Sequence, residues 1–370
     1  MSARGFVGAL ERSWSGERGS VPWTLALLPL AGAYAIASEM ARRGARRERA
    51  AARGIHVVAV GNLTVGGTGK SSIARWLARE AASAGGRSAL LLRGHGASAP
   101  PGEPSAVPDL SGYPLAAAAA RYGDEALAHR AALPRSVAVL VDRDRARAAA
   151  AAERGYGASV AVLDDGWEQC RLAWDELWVT LDPRHPCGNG WPLPAGPLRR
   201  PARTLADATV IALLLEDENE GVSDSTRALV ARHAPHAATL RFRRVLRGVS
   251  EIGDARVSPW GSGGGAAGLL TGIGSPARVE RFARAVGIPV AAHEAFPDHA
   301  VVPPDRLRAA LERLRARGAA VALVTEKDEH RWAIPASPVL PVRVLRVDVA
   351  PLDPVSQVLE RLRRAAAGVC

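Results

Sequence analysis

The sequence predicts an α/β fold in which helices cover a doubly wound, parallel sheet. Two observations predict it. Short apolar segments rich in Val, Leu and Ile alternate along the chain with segments of helical periodicity. A glycine-rich loop stands between the first apolar segment and the helix that follows it. With 370 residues, of which 48% are hydrophobic and 23% charged, the chain is long enough for two globular domains.

Apolar segments in two groups are predicted as strands. The first group is "GIHVVAV", "SALLLRG", "VAVLVD", "ASVAVLDD", "ELWVTLD" and "DATVIALLL". After an acidic segment (216–225) and a glycine-rich one (257–268), the second group is "GLLTGIG", "IPVAAHEAF", "AAVALVTEKD" and "VRVLRVDV". We therefore expect a membrane-anchoring segment at 1–50, a phosphate-loop domain at 51–225, a linker that could be β at 226–265, and a smaller α/β domain at 266–370. The Pro- and Ser-rich stretch 98–114 is expected as a long loop.

Residues 21–40, "VPWTLALLPLAGAYAIASEM", are almost uniformly apolar and have the length of a membrane span. A signal peptide, a buried core helix and an uncleaved anchor are the three interpretations. Five arginines between residues 42 and 49 follow at once, and such charges stay on the cytoplasmic side. There they would meet anionic headgroups. We favour an anchor in the inner membrane, with spanning and interfacial orientations both open.

The net charge of +11 indicates attraction to nucleic acid or to an anionic membrane surface. Aromatic residues make up only 5% of the chain and do not alternate with a basic run. A stacking surface for single strands is therefore not expected, and we expect no nucleic-acid partner. The three cysteines form no C-x-x-C pair, so they predict neither a disulfide framework nor a zinc site.

Lysine is rare in this chain, since all but two of the 48 basic residues are arginine. Lysines that persist in such a composition indicate positions where a compact ammonium is needed, with chance survival as the alternative. Lys70 lies in the glycine-rich loop, which favours the chemical interpretation. Lys327, in "VTEKD", is expected to serve a site at a strand end of the second domain, with an ion pair to Glu326 or Asp328 as the alternative.

The loop "VGNLTVGGTGKSS" resembles the phosphate-binding consensus G-x-x-x-x-G-K-[ST], except that Thr64 stands where the first glycine belongs. Glycines let backbone N–H groups approach phosphate oxygens, while Lys70 would neutralise the β- and γ-phosphates of ATP and Ser71 would bind Mg²⁺. A glycine-rich turn without a nucleotide is the less favoured alternative. The predicted nucleotide-binding residues are Thr64, Gly66, Gly67, Thr68, Gly69, Lys70, Ser71 and Ser72.

Carboxylates at the ends of apolar segments are candidates for chemistry. Asp164 and Asp165 end the strand "VAVLDD", where an aspartate beside a phosphate loop holds Mg²⁺. Asp124 precedes a helical segment and is either a helix cap or a functional carboxylate, acting as a general base or in a metal site. His299 follows a strand of the second domain, and pattern alone favours a structural role for a single histidine.

Together these stretches resemble the tetraacyldisaccharide 4′-kinase family, which phosphorylates the 4′-hydroxyl of a membrane-embedded disaccharide in lipid A synthesis. The resemblance runs nearly end to end, and "GNLTVGGTGK" and "LPAGPLR" carry it most specifically. It implies ATP and Mg²⁺ as cofactors, an acylated disaccharide lipid as substrate, and a location on the cytoplasmic face of the inner membrane. In the family Thr64 is the usual residue at its position.

The resemblance also implies roles for individual residues. Asp124 would activate the sugar hydroxyl and be tuned by His299. Lys70, Ser71 and the Asp164/Asp165 pair would handle phosphates and Mg²⁺. The arginines implied near phosphates or lipid are Arg93, Arg145 and Arg199.

The chain departs from the family in three places. Trp167, Glu168 and Gln169 replace the Phe, Gln and His of the usual "DDGFQH", so an imidazole expected near the metal is missing. His95 stands for a tyrosine, and Ala300 for the second histidine of "PDHH". A different class of function, a phosphate-loop switch or assembly NTPase coupled to a membrane partner, is the alternative. It predicts the N/T-K-x-D motif that recognises guanine in GTPases. In "VTEKD" the lysine stands one position too late for this motif.

Overall fold

The structure is a computed structural model that describes most of the chain. The described residues are 14, 21–47, 54–94, 97–98, 104–109, 115–168, 171–216, 220–254, 256–261, 265–298, 300–334 and 339–368. His299, expected beside Asp124, lies outside them, as do His95 and Gln169.

Helices and strands alternate through the described residues, as the sequence predicts. The α-helices are α1 (Val21–Arg47), α2 (Lys70–Ser83), α3 (Leu115–Tyr122), α4 (Asp124–Ala132), α5 (Arg145–Tyr156), α6 (Asp224–His233), α7 (Pro276–Ala285), α8 (Pro304–Ala316), α9 (Glu326–Arg331) and α10 (Glu360–Ala366). The strands are β1 (His56–Asn62), β2 (Ser88–Leu92), β3 (Ser105–Ala106), β4 (Val137–Val141), β5 (Val160–Leu163), β6 (Glu176–Leu181), β7 (Val210–Leu215), β8 (Ala238–Glu251), β9 (Ala267–Thr271), β10 (Val290–Ala295), β11 (Val321–Thr325) and β12 (Val342–Pro351).

The chain separates into two compact units, each assembled from segments that are distant in sequence. The first unit comprises Met1–Ser88, Glu153–Arg243 and Pro351–Cys370, and the second comprises Ala89–Ala152 and Arg244–Ala350. Asp124 thus belongs to the second unit, whereas the sequence places it in one consecutive domain with the glycine-rich loop. The consecutive boundaries stay a prediction and differ from this grouping.

The first unit is built on parallel strands in the order β8-β7-β6-β1-β5. Every residue of β5, β6 and β7 is buried. This explains why β5 and β7 read as continuous apolar runs, while β6 also buries the polar residues Glu176 and Thr180. β1 lies between β5 and β6. Because the carboxyl ends of parallel strands meet at one edge, the loop after β1 and the aspartates after β5 lie side by side.

Three aromatic rings hold α2 against the strands of the first unit. The ring of Trp76 in α2 lies 6.0 Å from Trp178 of β6 and 5.0 Å from Phe242 of β8, centroid to centroid. The interplanar angles of 56° and 72° are tilted and edge-to-face, which aromatic quadrupoles favour. This packing seats α2 so that its first residue, Lys70, stands where β1 ends.

The second unit has parallel strands of its own in the order β10-β9-β11-β12. α8 packs on them with one apolar face, formed by Leu307, Leu311 and Leu314. β4 also belongs to this unit and pairs antiparallel with the short β3. β3 lies within the stretch 98–114, where the sequence predicts only a loop.

The N-terminal helix α1 belongs to the first unit. It is the one helix of the described residues that is long and apolar enough to cross a membrane, over Thr24–Ala45. Its buried residues Thr24, Ala31 and Arg42 repeat at helical spacing and form a stripe along one face. Its other faces expose large apolar side chains at Leu25, Leu30, Ile36 and Met40.

Replacing Phe242 with alanine is expected to destabilise the protein by about 3–5 kcal/mol, because the fully buried ring would leave a cavity beside Trp76. Chemical denaturation of the full chain measures the loss. Tyr156→Ala, which removes a ring that is 39% exposed, is the matched control and should change stability by less than about 1 kcal/mol. Equal losses in the two variants would contradict a role for the aromatic contact.

Candidate active site

The glycine-rich loop at 63–69 joins β1 to α2, which is the strand–loop–helix context the motif requires. Gly69 has a φ of 91°, directly before Lys70. A Cβ at this position would also lie 2.4 Å from Cδ2 of Leu214, so both the backbone angle and the space favour glycine. The first turn of α2, with Ser71 and Ser72, presents backbone N–H groups and the positive end of the helix dipole at this loop.

Polar side chains on β1 and β6 brace the loop from below. Nδ2 of Asn62 donates to the carbonyl oxygens of Thr64 and, at 3.5 Å, Gly66. Oγ1 of Thr68 lies 2.8 Å from Oγ1 of Thr180. Asn62 was not among the predicted site residues. Its scarcity could have indicated it, since the chain has only three asparagines, nearly as few as its two lysines.

The "LPAGPLR" segment is hydrogen-bonded to the loop through its backbone. The amide of Val65 donates to the carbonyl of Pro197 at 2.8 Å, and the amide of Arg199 donates to the carbonyl of Leu63 at 3.0 Å. These bonds deliver the Arg199 side chain to the phosphate loop from a position more than 130 residues later in the chain. A family-specific stretch is thereby part of the loop's own structure.

Two cations of the phosphate-loop site, Arg199 and Lys70, converge on Asp165. Arg199 binds it through two bonds, Nη1 to Oδ1 at 3.0 Å and Nη2 to Oδ2 at 3.1 Å, and Lys70 Nζ lies 3.9 Å from Oδ1. Burial alone lowers the pKa of Arg199, but its hydrogen bonds with Asp165 and the Asp165 charge outweigh burial and raise it. Asp165 also has a φ of 52°, an uncommon angle for a residue other than glycine. Such angles concentrate at functional sites.

Arg200 is a buried charge that the sequence analysis does not identify. Its guanidinium lies over the Trp167 ring at 4.5 Å, donates to the Trp167 carbonyl, and donates from Nε to Glu168 Oε1 at 2.8 Å. Trp167 and Glu168 are two of the residues by which the chain departs from the family pattern. Both therefore hold an arginine next to the Asp165 segment, through cation–π and ionic contacts.

Ser71, Asp164 and Asp165 provide the hard oxygen donors that Mg²⁺ prefers. Asp164 is buried at the end of β5, on the strand next to β1. Among the described residues, no group of three or more His, Cys, Asp and Glu side chains could hold a metal unaided. This set still fits Mg²⁺, which takes one or two carboxylates and completes its shell with water and phosphate oxygens.

Asp124 in the second unit is the first residue of α4 and follows Gly123, whose φ is 89°. Its Oδ2 accepts hydrogen bonds from Arg331, from Nη2 at 2.5 Å and Nε at 3.2 Å. Burial by itself raises the pKa of the Asp124 carboxyl, but the bonds and charge of Arg331 and the charge of Lys327 outweigh it and lower the pKa. The carboxylate is therefore ionised at neutral pH, as a proton acceptor must be.

Lys327 binds the neighbour of Asp124. Its Nζ donates to Oε1 of Glu125 at 2.7 Å, which links α9 to α4. The second lysine of the chain thus pairs with a helix distant in sequence rather than only with Glu326 or Asp328 beside it. Lys327 is the second residue of α9, two positions after β11 ends, and its service to a site there stays a prediction.

The remaining predicted arginines also lie in the second unit. Arg93 is exposed just after β2. Arg145 is buried at the start of α5, where Nη1 donates to the carbonyl of Asp142 at 2.5 Å. This bond ties Arg145 to the turn before its own helix, and contacts of Arg93 and Arg145 with a substrate stay predictions.

A groove of about 290 Å³ runs beside α1 in the first unit. Tyr34, Ala35, Ser38 and Arg42 form its α1 side, and residues between 187 and 203 form the other. The second side includes the arginines Arg199, Arg200 and Arg203. Apolar walls together with guanidinium groups suit an amphiphilic ligand that carries phosphate.

The fold and the loop define the class of protein. A parallel sheet whose central strand ends in a glycine-rich loop, a lysine opening the next helix, and aspartates ending the neighbouring strand are the parts of a phosphate-loop nucleotide-binding protein. The predicted fold class is thereby confirmed.

Within that class, the chain belongs to the tetraacyldisaccharide 4′-kinase family. The family profile "LpxK: Tetraacyldisaccharide-1-P 4'-kinase" matches residues 23–365. The tetraacyldisaccharide 4′-kinases of Anaeromyxobacter dehalogenans (strain 2CP-C) and Methylobacterium sp. (strain 4-46) are 37% and 36% identical to it, over 92% of this chain and 91% and 93% of theirs. LpxK from Aquifex aeolicus, solved in complex with ATP, has a similar fold, with a TM-score of 0.69 at 20% identity, covering 94% of this chain and 99% of that one. The resemblance drawn from the motifs is confirmed.

Gly69→Ala is expected to weaken ATP binding by about tenfold or more, since moving the loop amides forfeits upward of about 1.4 kcal/mol of phosphate contacts. Gly85→Ala is the matched control, because Gly85 has the same φ of 91° but no atom within 4 Å of a new Cβ. Both variants should lose about 1–2 kcal/mol of stability from the left-handed backbone. Isothermal titration with ATP separates them, and equal ATP affinity in both would refute the role of Gly69.

Proposed function

We propose that this protein transfers the γ-phosphoryl group of ATP to the 4′-hydroxyl of a tetraacylated glucosamine disaccharide 1-phosphate, a step of lipid A synthesis. The observation that carries the proposal is the convergence of Lys70 and Arg199 on Asp165 beside the glycine-rich loop. Membership of the 4′-kinase family supports the acceptor, and the ATP complex of the Aquifex aeolicus enzyme supports the donor.

The first unit binds the triphosphate in this proposal. The N–H groups of Gly66 to Ser72 receive phosphate oxygens, and Lys70 offsets charge on the β- and γ-phosphates as negative charge moves toward the leaving oxygen. Ser71 and the Asp164/Asp165 pair hold Mg²⁺, which neutralises phosphate charge when bound. Arg199 keeps Asp165 in place and offers its guanidinium to the phosphates or to the lipid substrate.

Asp124 acts as the general base. The bond from the 4′-oxygen to the γ-phosphorus forms, the bond from that phosphorus to the bridging oxygen breaks, and ADP leaves. Asp124, whose carboxylate is ionised at neutral pH, accepts the hydroxyl proton. In the same proposal His299 tunes Asp124, and Arg93 and Arg145 contact phosphate or lipid.

We propose that α1 lies in the cytoplasmic leaflet of the inner membrane. Three residues of α1, Thr24, Ala31 and Arg42, are buried, and this local contact with protein supports an interfacial orientation over a span surrounded by lipid. The exposed apolar side chains of α1 then enter the acyl region, while the exposed Arg43 near its C-terminal end meets anionic headgroups. The groove beside α1 receives part of the acylated substrate.

Lys70→Ala is expected to abolish phosphate transfer to the lipid. The assay follows label from γ-labelled ATP into a tetraacyldisaccharide 1-phosphate in detergent, with Arg361→Ala, an exposed change on α10, as the control. Wild-type activity in Lys70→Ala would refute the proposed chemistry. ATP turnover by the wild type without label in the lipid would favour the switch NTPase instead.

Ile36→Glu is expected to reduce binding to phosphatidylglycerol-containing vesicles by about tenfold or more, because a carboxylate would have to enter the acyl region. Ile36 is 65% exposed, so the fold should not be affected. Val301→Glu replaces an exposed apolar residue of the second unit and serves as the control. Vesicle flotation measures binding, and unchanged flotation of Ile36→Glu would exclude α1 as the membrane contact.

A further inference from the structure

The short helix α9 presents two cations to the acidic pair that opens α4. Lys327 and Arg331 are four residues apart and so share one face of α9. Lys327 binds Glu125, and Arg331 binds Asp124. Two adjacent carboxylates thus each meet their own cation from the same helix, all within the second unit.

The guanidinium of Arg331 is buried and held from several sides. Besides its two bonds to Asp124 Oδ2, Nη1 donates to the carbonyl of Gly272 at 2.7 Å and lies 3.6 Å from Oδ1 of Asp328. Only 7% of the side chain is exposed. These contacts fix the orientation of the guanidinium, which in turn fixes the position of the Asp124 carboxylate.

The support beneath Arg331 is itself rigid. The fully buried carboxylate of Asp328 accepts hydrogen bonds from the amide of Gly272, at 3.2 Å, and from the hydroxyl of Thr325, at 2.7 Å. A Cβ on Gly272 would lie 2.6 Å from the Trp332 ring, which leaves no room for a larger residue. The "TGIG" and "VTEKD" segments are therefore locked together below Arg331.

The second oxygen of Asp124 is occupied as well. Oδ1 accepts from the amide of Glu125 at 2.9 Å, while Oδ2 takes both bonds from Arg331. With each oxygen oriented by a donor, rotation about the Cβ–Cγ bond is restrained. The remaining lone pairs point in fixed directions, one of which can receive a proton.

We propose that Arg331 is a positioning residue for phosphoryl transfer, holding the carboxylate of Asp124 in the orientation that a general base requires. Lys327 holds Glu125 in the same way and keeps that second carboxylate from repelling the first. This role rests on the proposed function of Asp124. It also gives a function to Lys327, the second of the two lysines in the chain.

The charges around Asp124 determine the direction in which loss of Arg331 would shift the pH dependence of activity. Lys327, Arg331 and His330 of α9 lie near Asp124, and Glu125 follows it in α4. Arg121 of α3 lies over the ring of the adjacent Tyr122. Burial lowers the pKa of His330 to about 4, so His330 is neutral near pH 7. Without Arg331, burial would raise the pKa of Asp124, and the acidic limb of the activity profile would move to higher pH.

The test compares Arg331→Gln and Arg331→Lys with Arg343→Gln, a control that removes an exposed ion pair to Glu251 in the same unit. We expect Arg331→Gln to lower kcat roughly 10- to 100-fold with an unchanged KM for ATP, because the base is displaced and not the nucleotide. Its acidic limb should shift upward, and Arg331→Lys should restore part of both effects. Arg343→Gln should behave as the wild type.

Two outcomes would overturn the proposal: a wild-type pH profile in Arg331→Gln, or an equal loss in Arg331→Lys and Arg331→Gln at unchanged melting temperature. Asp124→Asn separates this failure from failure of the base assignment. If Asp124→Asn is active, the assignment of the base is wrong. If it is inactive while Arg331→Gln keeps the wild-type profile and rate, only the role of Arg331 is wrong.

Discussion

The bidentate pair between Arg199 and Asp165 is the interaction on which the arrangement of the first unit depends. It joins three pieces of chain: the loop after β1, the strand end after β5, and the "LPAGPLR" segment, whose backbone is bonded to the loop. Each piece carries a charged side chain or backbone amides that water would otherwise solvate. Paired in this way, Asp165 offsets two nearby cations, Arg199 and Lys70, and keeps the loop in one geometry before any phosphate arrives.

Those parts of the site that depend on local sequence could be predicted. The strands β5 and β7 of the first unit are fully buried, so they appear as uninterrupted apolar runs, and the loop needs glycines at fixed offsets before Lys70. Asp164 and Asp165 could be placed near the loop for a topological reason. Parallel neighbours end at the same edge, which requires no knowledge of side-chain contacts.

The parts that depend on distant pairing could not be predicted. Arg331 meets Asp124 across 207 residues, and one arginine among many gives no sign of its partner. The helix that carries it has six residues, too few for a periodic pattern. Arg200 could not be predicted for another reason. Its neighbour Arg199 matches the family motif, so the motif indicates a role for Arg199 and not for Arg200. Each unit is also assembled from segments that are distant in sequence, and the contacts that join these segments leave no pattern in the linear sequence.

The contribution of the last twenty residues to the first unit bears on how the chain is made. α10 pairs Arg363 with Glu80 of α2, and the carbonyl of Ala366 fills the space where a side chain at Gly86 would stand. The ribosome makes these residues long after α2. Until then this flank of the nucleotide-binding helix has no cover, although the loop it follows was made almost three hundred residues earlier. The nascent protein must therefore reach α10 before the helix that follows the phosphate loop is covered on this side.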